Sequence, residues 1–236
     1  MLPIDIDNLK AVIVDVDGTL YRQRPVRRAI LCRLIRKIIE QPVQGLANVR
    51  VLRAYRKAQE KLRTATLHYD DLANTQLRLA CEWTGVELEK VNSCVAHWME
   101  RAPLEFLAGS LREGVVEFLR AASHQGLRLA VFSDYPAVPK LVAMGVANFF
   151  DIVVTAQDPE VQKVKPNPRG LEVTLERLGV EKHQALYIGD RPETDGAAAY
   201  SAGLACVILG RRNIMDQSGW IGVSGYGELR NIICGG

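Results

Sequence analysis

Three observations predict an α/β fold in which a parallel sheet carries an inserted all-helical cap. First, five short apolar runs have the length of strands buried on both faces: residues 11–14, 129–132, 152–155, 186–188 and 204–209. Second, helix-period segments separate most of them, and alternating strands and helices imply a sheet wound by right-handed crossovers. Third, residues 22–107 hold no comparable run and read as helices throughout. That stretch is too long for a loop inside a compact domain. The expected organisation is a discontinuous Rossmann-like core, 1–21 and 108–236, interrupted by a helical cap at 22–107.

The elements follow in order. The run 11–14 is the first strand. In the cap, helices are expected at 27–39, about 46–66, 70–84 and 88–100, with Gly85 between the last two and Pro103 closing the set. In the returning core, residues 113–125 form a helix before the strand at 129–132, and 136–148 form one after it. Pro168 opens and Gly179 closes a helix over 168–178, the usual N-terminal proline and C-terminal glycine. The segment after Asp195 closes at Gly203. The tail, 211–236, has several glycines and is expected to be an irregular cover over a sheet edge.

The 236 residues are 48% hydrophobic and 24% charged, which excludes a disordered or fibrous chain. A chain this long buries roughly 70–75% of its unfolded surface and needs no disulfide or zinc staple. No apolar run approaches the ~18 residues of a membrane span. The opening MLPIDIDNLK lacks the charged-then-apolar pattern of an export signal. Five widely spaced cysteines (32, 81, 94, 206, 234) read as reduced thiols, with a cytoplasmic location expected. The histidines (68, 97, 124, 183) make no metal-binding spacing, and Trp83 and Trp98 fall in helical patterns as core residues.

The chemistry gathers where strands end. Asp15-Val16-Asp17-Gly18-Thr19-Leu20 follows the first strand. Residues i and i+2 point the same way in extended chain, so Asp15 and Asp17 can converge on one site. Paired carboxylates repel unless a cation or a shared proton relieves them, and Mg²⁺ is the natural oxygen-seeking ion. Ser133 and Asp134 end another strand. Pro166 keeps Lys165 out of a helix, in a loop where its ammonium can reach inward. Gly189-Asp190-Arg191-Pro192-Glu193-Thr194-Asp195 places one carboxylate at a strand end and another five residues on. Each feature alone has an ordinary explanation as a turn, a helix cap or a surface charge. Their coincidence at the carboxyl ends of predicted strands is where open parallel sheets place their sites. Together they supply a nucleophile, an acid–base group, a hydroxyl, a cation and metal carboxylates, the parts of phosphoryl transfer.

In this order, DVDGT, the strand-end serine, the KPNP lysine and GDRPETD resemble the four motifs of the haloacid dehalogenase-like hydrolases. The insertion is similar to the helical cap of the phosphoglycolate-phosphatase-like branch. The resemblance covers residues 10–21 and about 110–210. It implies Asp15 as a nucleophile forming an aspartyl-phosphate, and Asp17 as the general acid and base. It implies Ser133 and Lys165 as phosphoryl partners, with Thr19 and Asp134 beside them in the substrate-binding set. It implies Mg²⁺ held by Asp15, the Asp17 carbonyl and Asp190, with Asp195 in support. The retained Asp17 favours phosphate chemistry over dehalogenation. Two departures stand out: Asp134 where many relatives carry Asn, and Tyr21-Arg22-Gln23-Arg24 at the hinge into the cap.

The resemblance thus implies a Mg²⁺-dependent phosphatase acting on a small organic phosphate. A phosphotransferase or phosphomutase would use the same intermediate. A non-catalytic binding protein working through its basic helices, on anionic lipid or a protein partner, is the other class of reading. Residues 22–63 hold thirteen Lys and Arg against Glu40 and Glu60, a net +11, while the rest of the chain is −8. Within 27–39 the apolar residues occupy about half a helical wheel, with Arg33, Arg36 and Lys37 opposite. The plain reading is a cap helix with its arginines in water. The functional ones are a funnel for an anionic substrate and contact with a membrane surface. Nucleic acid is not expected, because no aromatic platform accompanies the charge.

Overall fold

The computed structural model describes residues 6–65, 69–211 and 219–235. Six parallel strands form one sheet: β1 (Ala11–Val14), β2 (Arg128–Ser133), β3 (Ile152–Thr155), β4 (Ala185–Gly189), β5 (Ala205–Leu209) and β6 (Trp220–Val223). Their order is β3-β2-β1-β4-β5-β6. The order reverses at β1, so the switch point, where ligands sit in such sheets, lies between β1 and β4. In β1, Val12 and Val14 face one apolar layer while Ala11 and Ile13 face the other. That alternation on a strand buried on both faces explains why its sequence is continuously apolar.

Helices cover both faces. α5 (Val115–His124), α6 (Val138–Met144) and α9 (Tyr226–Cys234) pack on the layer that holds Val12, and α7 (Arg169–Leu178) and α8 (Ala197–Ala202) on the other. Phe118 and Leu119 of α5 and Leu171 and Leu178 of α7 are fully buried, each contributing about 1.5–3 kcal/mol of transfer free energy. α7 starts directly after Pro168 and ends at Gly179 in the left-handed region, as its end residues predict.

The tail departs from expectation. It is not an irregular cover: β6 pairs with β5 in register and α9 packs on α5. The strand WIGV gives a weak sequence signal because Gly222 interrupts it, yet a Cβ there would lie 2.8 Å from that of Arg211. A close chain crossing, not a turn, requires that glycine. Residues 212–218 of the tail lie outside the described residues, as do His68 and the expected end of the second cap helix at residue 66. The helix expected over 136–148 is shorter and ends at Gly145, with a single 3₁₀ turn following.

Between β1 and α5 run α1 (Gln23–Glu40), α2 (Pro42–Thr64), α3 (Leu72–Thr84) and α4 (Leu88–Val95), the last continued by a π-helical stretch to Arg101. Val51, Tyr55, Ala80, Val91 and Val95 form a separate apolar cluster among them. The chain leaves and re-enters the sheet region side by side: Arg22 N–H donates to the Ser110 carbonyl at 2.8 Å, and Arg112 N–H to that of Leu20 at 3.0 Å. Several contacts tie these helices to the sheet region, beginning with Val26 of α1 in the sheet-side core. Tyr135, after β2, packs on the α2–α4 cluster and its hydroxyl donates to Gln59. Leu62 and Leu72 pack on Ala156 and Val164. Trp98 is buried as expected, whereas Trp83 is only half-buried beneath Lys57 and Lys61.

Candidate active site

At the carboxyl end of the sheet, beneath the helices, lies a cavity of about 660 Å³. Asp15, Asp17, Asp134, Lys165, Asp190 and Asp195 all line it. β1 ends one residue before Asp15, whose N–H still donates to the Ile188 carbonyl of β4 at 2.9 Å. The backbone of Asp15 is therefore held by the sheet. Gly18 then turns the chain at φ +103°, and a Cβ there would sit 2.2 Å from Oδ2 of Asp190. Only glycine lets the first and fourth motifs approach this closely.

Lys165 is the centre of the buried charge. Its ammonium donates to Asp15 Oδ1 at 2.5 Å, to Asp195 Oδ1 at 2.7 Å and to the Tyr187 hydroxyl at 3.1 Å. The Lys165–Pro166 peptide is cis. Thr19 donates to the other Asp15 oxygen at 3.0 Å, so both carboxylate oxygens are held. Asp195 sits in a π-helical turn after β4 and accepts the backbone N–H groups of Asp190 and Arg191. Oδ1 of Asp190, though buried, has no hydrogen-bond partner.

Electrostatics follow from that arrangement. Three carboxylates share one lysine. Burial pushes Asp15 up to about 8, against the pull of Lys165. Burial and the nearby Asp195 push Asp190 up to about 6. Burial also works against Asp195, but Lys165 and its other hydrogen bonds hold it below the usual carboxylate range. Lys165 stays charged: burial opposes its charge, and Asp15 and Asp195 more than restore it. The site thus carries more negative than positive charge. One oxygen from each of Asp15, Asp190 and Asp195 lies within 4.8 Å of the others. An oxygen-only donor set, an orphaned carboxylate atom and uncompensated negative charge fit a hard divalent cation.

Asp17 faces the same cavity but belongs to a second network. Its carboxylate accepts from Lys140 Nζ at 2.5 Å and from the Tyr21 hydroxyl at 2.5 Å, and its carbonyl accepts from Gln23. Burial raises its pKa, but Lys140 and Tyr21 together lower it below the ordinary value. Asp15 and Asp17 thus converge on one cavity, as expected, through separate networks. Thr19 and Ser133 are fully buried and do not reach the cavity wall. Ser133 Oγ accepts the Tyr135 N–H at 3.3 Å.

Asp134, the departure from the familiar Asn, is not a free charge. Its Oδ1 accepts the Lys165 N–H at 2.9 Å, and its Oδ2 accepts from Arg63 of α2 at 3.1 Å. Burial still raises its pKa, with Lys165 and Arg63 pulling it partly back.

Three partners lie outside the predicted site residues: Lys140, Tyr21 and Arg63. Lys140 had a signal, as the single charge in an apolar helix segment. Tyr21 and Arg63 had none, one being a hinge residue and the other an arginine among many.

The chain matches the haloacid dehalogenase-like hydrolase family over residues 9–203. It is 33% identical to a phosphoglycolate phosphatase of Rhodospirillum rubrum over 213 residues, covering 85% of this chain and 79% of that one. It is 28% identical to a glyceraldehyde 3-phosphate phosphatase of Methanopyrus kandleri, covering 89% and 87%. Among solved structures, a HAD phosphatase from Thermococcus onnurineus superposes with a TM-score of 0.64 at 21% identity, over 96% of this chain and 99% of that one. A 2-haloacid dehalogenase from Pseudomonas syringae pv. Tomato DC3000 gives 0.67 at 18%, over 95% and 98%. Those two likenesses establish the fold. Family, relatives and site together make the chain a member of the haloacid dehalogenase-like hydrolases, and an enzyme of their phosphatase kind.

Proposed function

We propose that the protein is a Mg²⁺-dependent phosphatase that hydrolyses a small organic phosphate ester through an aspartyl-phosphate on Asp15. The observation that carries this reading is Asp15 itself, backed by Lys165 and Thr19, joined to Asp190 and Asp195 in a cation-ready cluster, and open to the cavity. Asp15, Asp190 and Asp195 would hold the ion, with the Asp17 carbonyl in support. Bound there, Mg²⁺ would neutralise charge on the carboxylates and the phosphoryl oxygens.

Asp15 attacks phosphorus as the carboxylate, the form that Lys165 and a cation bound beside it would favour, and the ester P–O bond breaks. The leaving oxygen takes a proton from Asp17. Water then attacks the aspartyl-phosphate, gives its proton to Asp17, and releases phosphate with Asp15 regenerated. Lys165 offsets negative charge through both steps. Asp17 is ionised beside Lys140 in this structure, so it must gain its proton as substrate arrives. A phosphate dianion does this in two ways: it adds negative charge near Asp17, and it offers Lys140 a competing partner. Thr19 orients Asp15. Asp134 fixes the backbone of Lys165. The motif implies Ser133 as a further phosphoryl partner; its hydroxyl lies behind the cavity wall in this structure. Arg27, Arg56 and Arg63 on the cavity wall suit an anionic substrate.

The test uses Asp17→Asn with p-nitrophenyl phosphate, whose acidic leaving group needs no protonation. The first step then proceeds and the second stalls. A covalent phosphoryl adduct, seen by intact mass and missing in Asp15→Asn, supports the reading. No adduct with Mg²⁺ present would contradict it.

A further inference from the structure

Away from the active site, the turn between α1 and α2 exposes more apolar surface than a cap helix needs. α1 already has an inward stripe: Val26 is buried, and Ile30, Leu34 and Ile38 are half-buried. It carries a second, outward one. Leu31, Ile35 and Ile39 recur every four residues, Leu31 at the rim of the active-site cavity and the other two facing solvent, and α2 adds Val43 and Leu46. Ile39 is 76% and Val43 86% exposed, at the tip of the hairpin.

The outward stripes do not stay apolar. Followed away from the tip, the α1 stripe passes from Leu31 to Arg28 and Arg24, and the α2 stripe from Leu46 to Arg50 and Arg53; all four arginines are exposed. The result is an apolar tip with a basic collar. At 1.5 Å per residue, Arg28 stands about 16 Å along the helix from Ile39. Interfacial elements bury their apolar face ~5–10 Å below the headgroups, and arginine side chains reach back several ångströms to the phosphates. The spacing suits both contacts at once. Glu40, the single acid of the tip, is paired with Arg36.

We infer that the α1–α2 tip docks on an anionic lipid bilayer. The protein would lie on the surface and not span it, since no helix among the described residues is long and apolar enough to cross a membrane. A second copy is a poorer occupant, because tip-to-tip packing would bring two arginine collars together. The inference does not depend on the catalytic reading, and Ile39 and Val43 do not line the active-site cavity.

The experiment is co-sedimentation of the full chain with phosphatidylcholine vesicles, with and without phosphatidylglycerol. Binding should be roughly tenfold or more tighter on the anionic vesicles and should weaken as salt rises. Ile39→Glu/Val43→Glu should lose it while keeping the wild-type circular dichroism. Arg28→Gln/Arg50→Gln should lose the anionic preference by substitution in the collar alone. Equal binding to both vesicle types, or to neither, overturns the inference. So does sedimentation velocity showing a dimer that Ile39→Glu/Val43→Glu disperses, since the tip would then belong to a second copy.

Discussion

The Arg63–Asp134 pair couples the inserted helices to the catalytic loop, and its strength can be worked out. The two groups meet at 3.1 Å with side chains 10% and 13% exposed. At an effective dielectric of ~20 the attraction at that distance is on the order of 5 kcal/mol. Desolvation offsets much of it, leaving about 1.5–3 kcal/mol for a charge-assisted hydrogen bond. Removing either partner leaves the other buried with weaker compensation, Arg63 with the exposed Glu60 at 3.8 Å and Asp134 with the Lys165 N–H. Arg63→Leu and Asp134→Asn should therefore each cost about 2–4 kcal/mol, or on the order of 5–10 °C in Tm for a chain of this size. The double variant buries no unpaired charge and should cost no more than either single one. Denaturant unfolding of all four proteins at neutral pH gives the coupling energy. A favourable value of about 1.5 kcal/mol or more is expected. Additivity within ~0.5 kcal/mol would refute the reasoning and make the contact an incidental surface pair.

Other outcomes follow from the same geometry. Lys140 holds the Asp17 pKa down and the leaving oxygen needs the Asp17 proton, so Lys140→Met should move the basic limb of the kcat/KM profile to higher pH; an unmoved limb would remove Lys140 from the acid–base network. Because the folded Asp17 pKa is lowered, the pair stabilises the fold above the unfolded value of about 4, and that contribution is lost as pH falls through the folded value. The Tm gap between wild type and Lys140→Met should accordingly be full at neutral pH and close under acid. Gly18→Ala would place a methyl against Asp190 and force an alanine to φ +103°. It should weaken Mg²⁺ affinity by roughly 10–100-fold, read from metal titration of turnover, and unchanged affinity would argue against Asp190 as a ligand. Replacing 24–105 by a short linker should leave a folded, Mg²⁺-binding core with poor selectivity among esters. Outright unfolding would show that sheet and helices form one cooperative unit.

Much of this architecture was readable because it rests on local signals. Strands β1 to β5 are short apolar runs, almost wholly buried except in the edge strand β3, and α7 announces both its ends. The four motif segments carry the residues that meet at the sheet's carboxyl edge. What stayed hidden depends on contacts distant in sequence. Lys140 meets Asp17 across 123 positions and Arg63 meets Asp134 across 71, and no periodicity encodes such pairs. The β6 and α9 tail reads as loop in sequence because Gly222, Gly225 and Gly227 look like loop residues, although Gly222 is required by the passage of Arg211. The exposed tip of α1 was legible as an amphipathic helix, but not which of its apolar residues face inward.

The central claim is that Asp15 is a metal-assisted nucleophile toward phosphorus. The most direct measurement is phosphate release from a broad panel of phosphate esters, with and without Mg²⁺, comparing the wild type with Asp15→Asn. The account predicts release that needs the metal and disappears in Asp15→Asn. Release that survives in Asp15→Asn, or that proceeds equally without Mg²⁺, would contradict it.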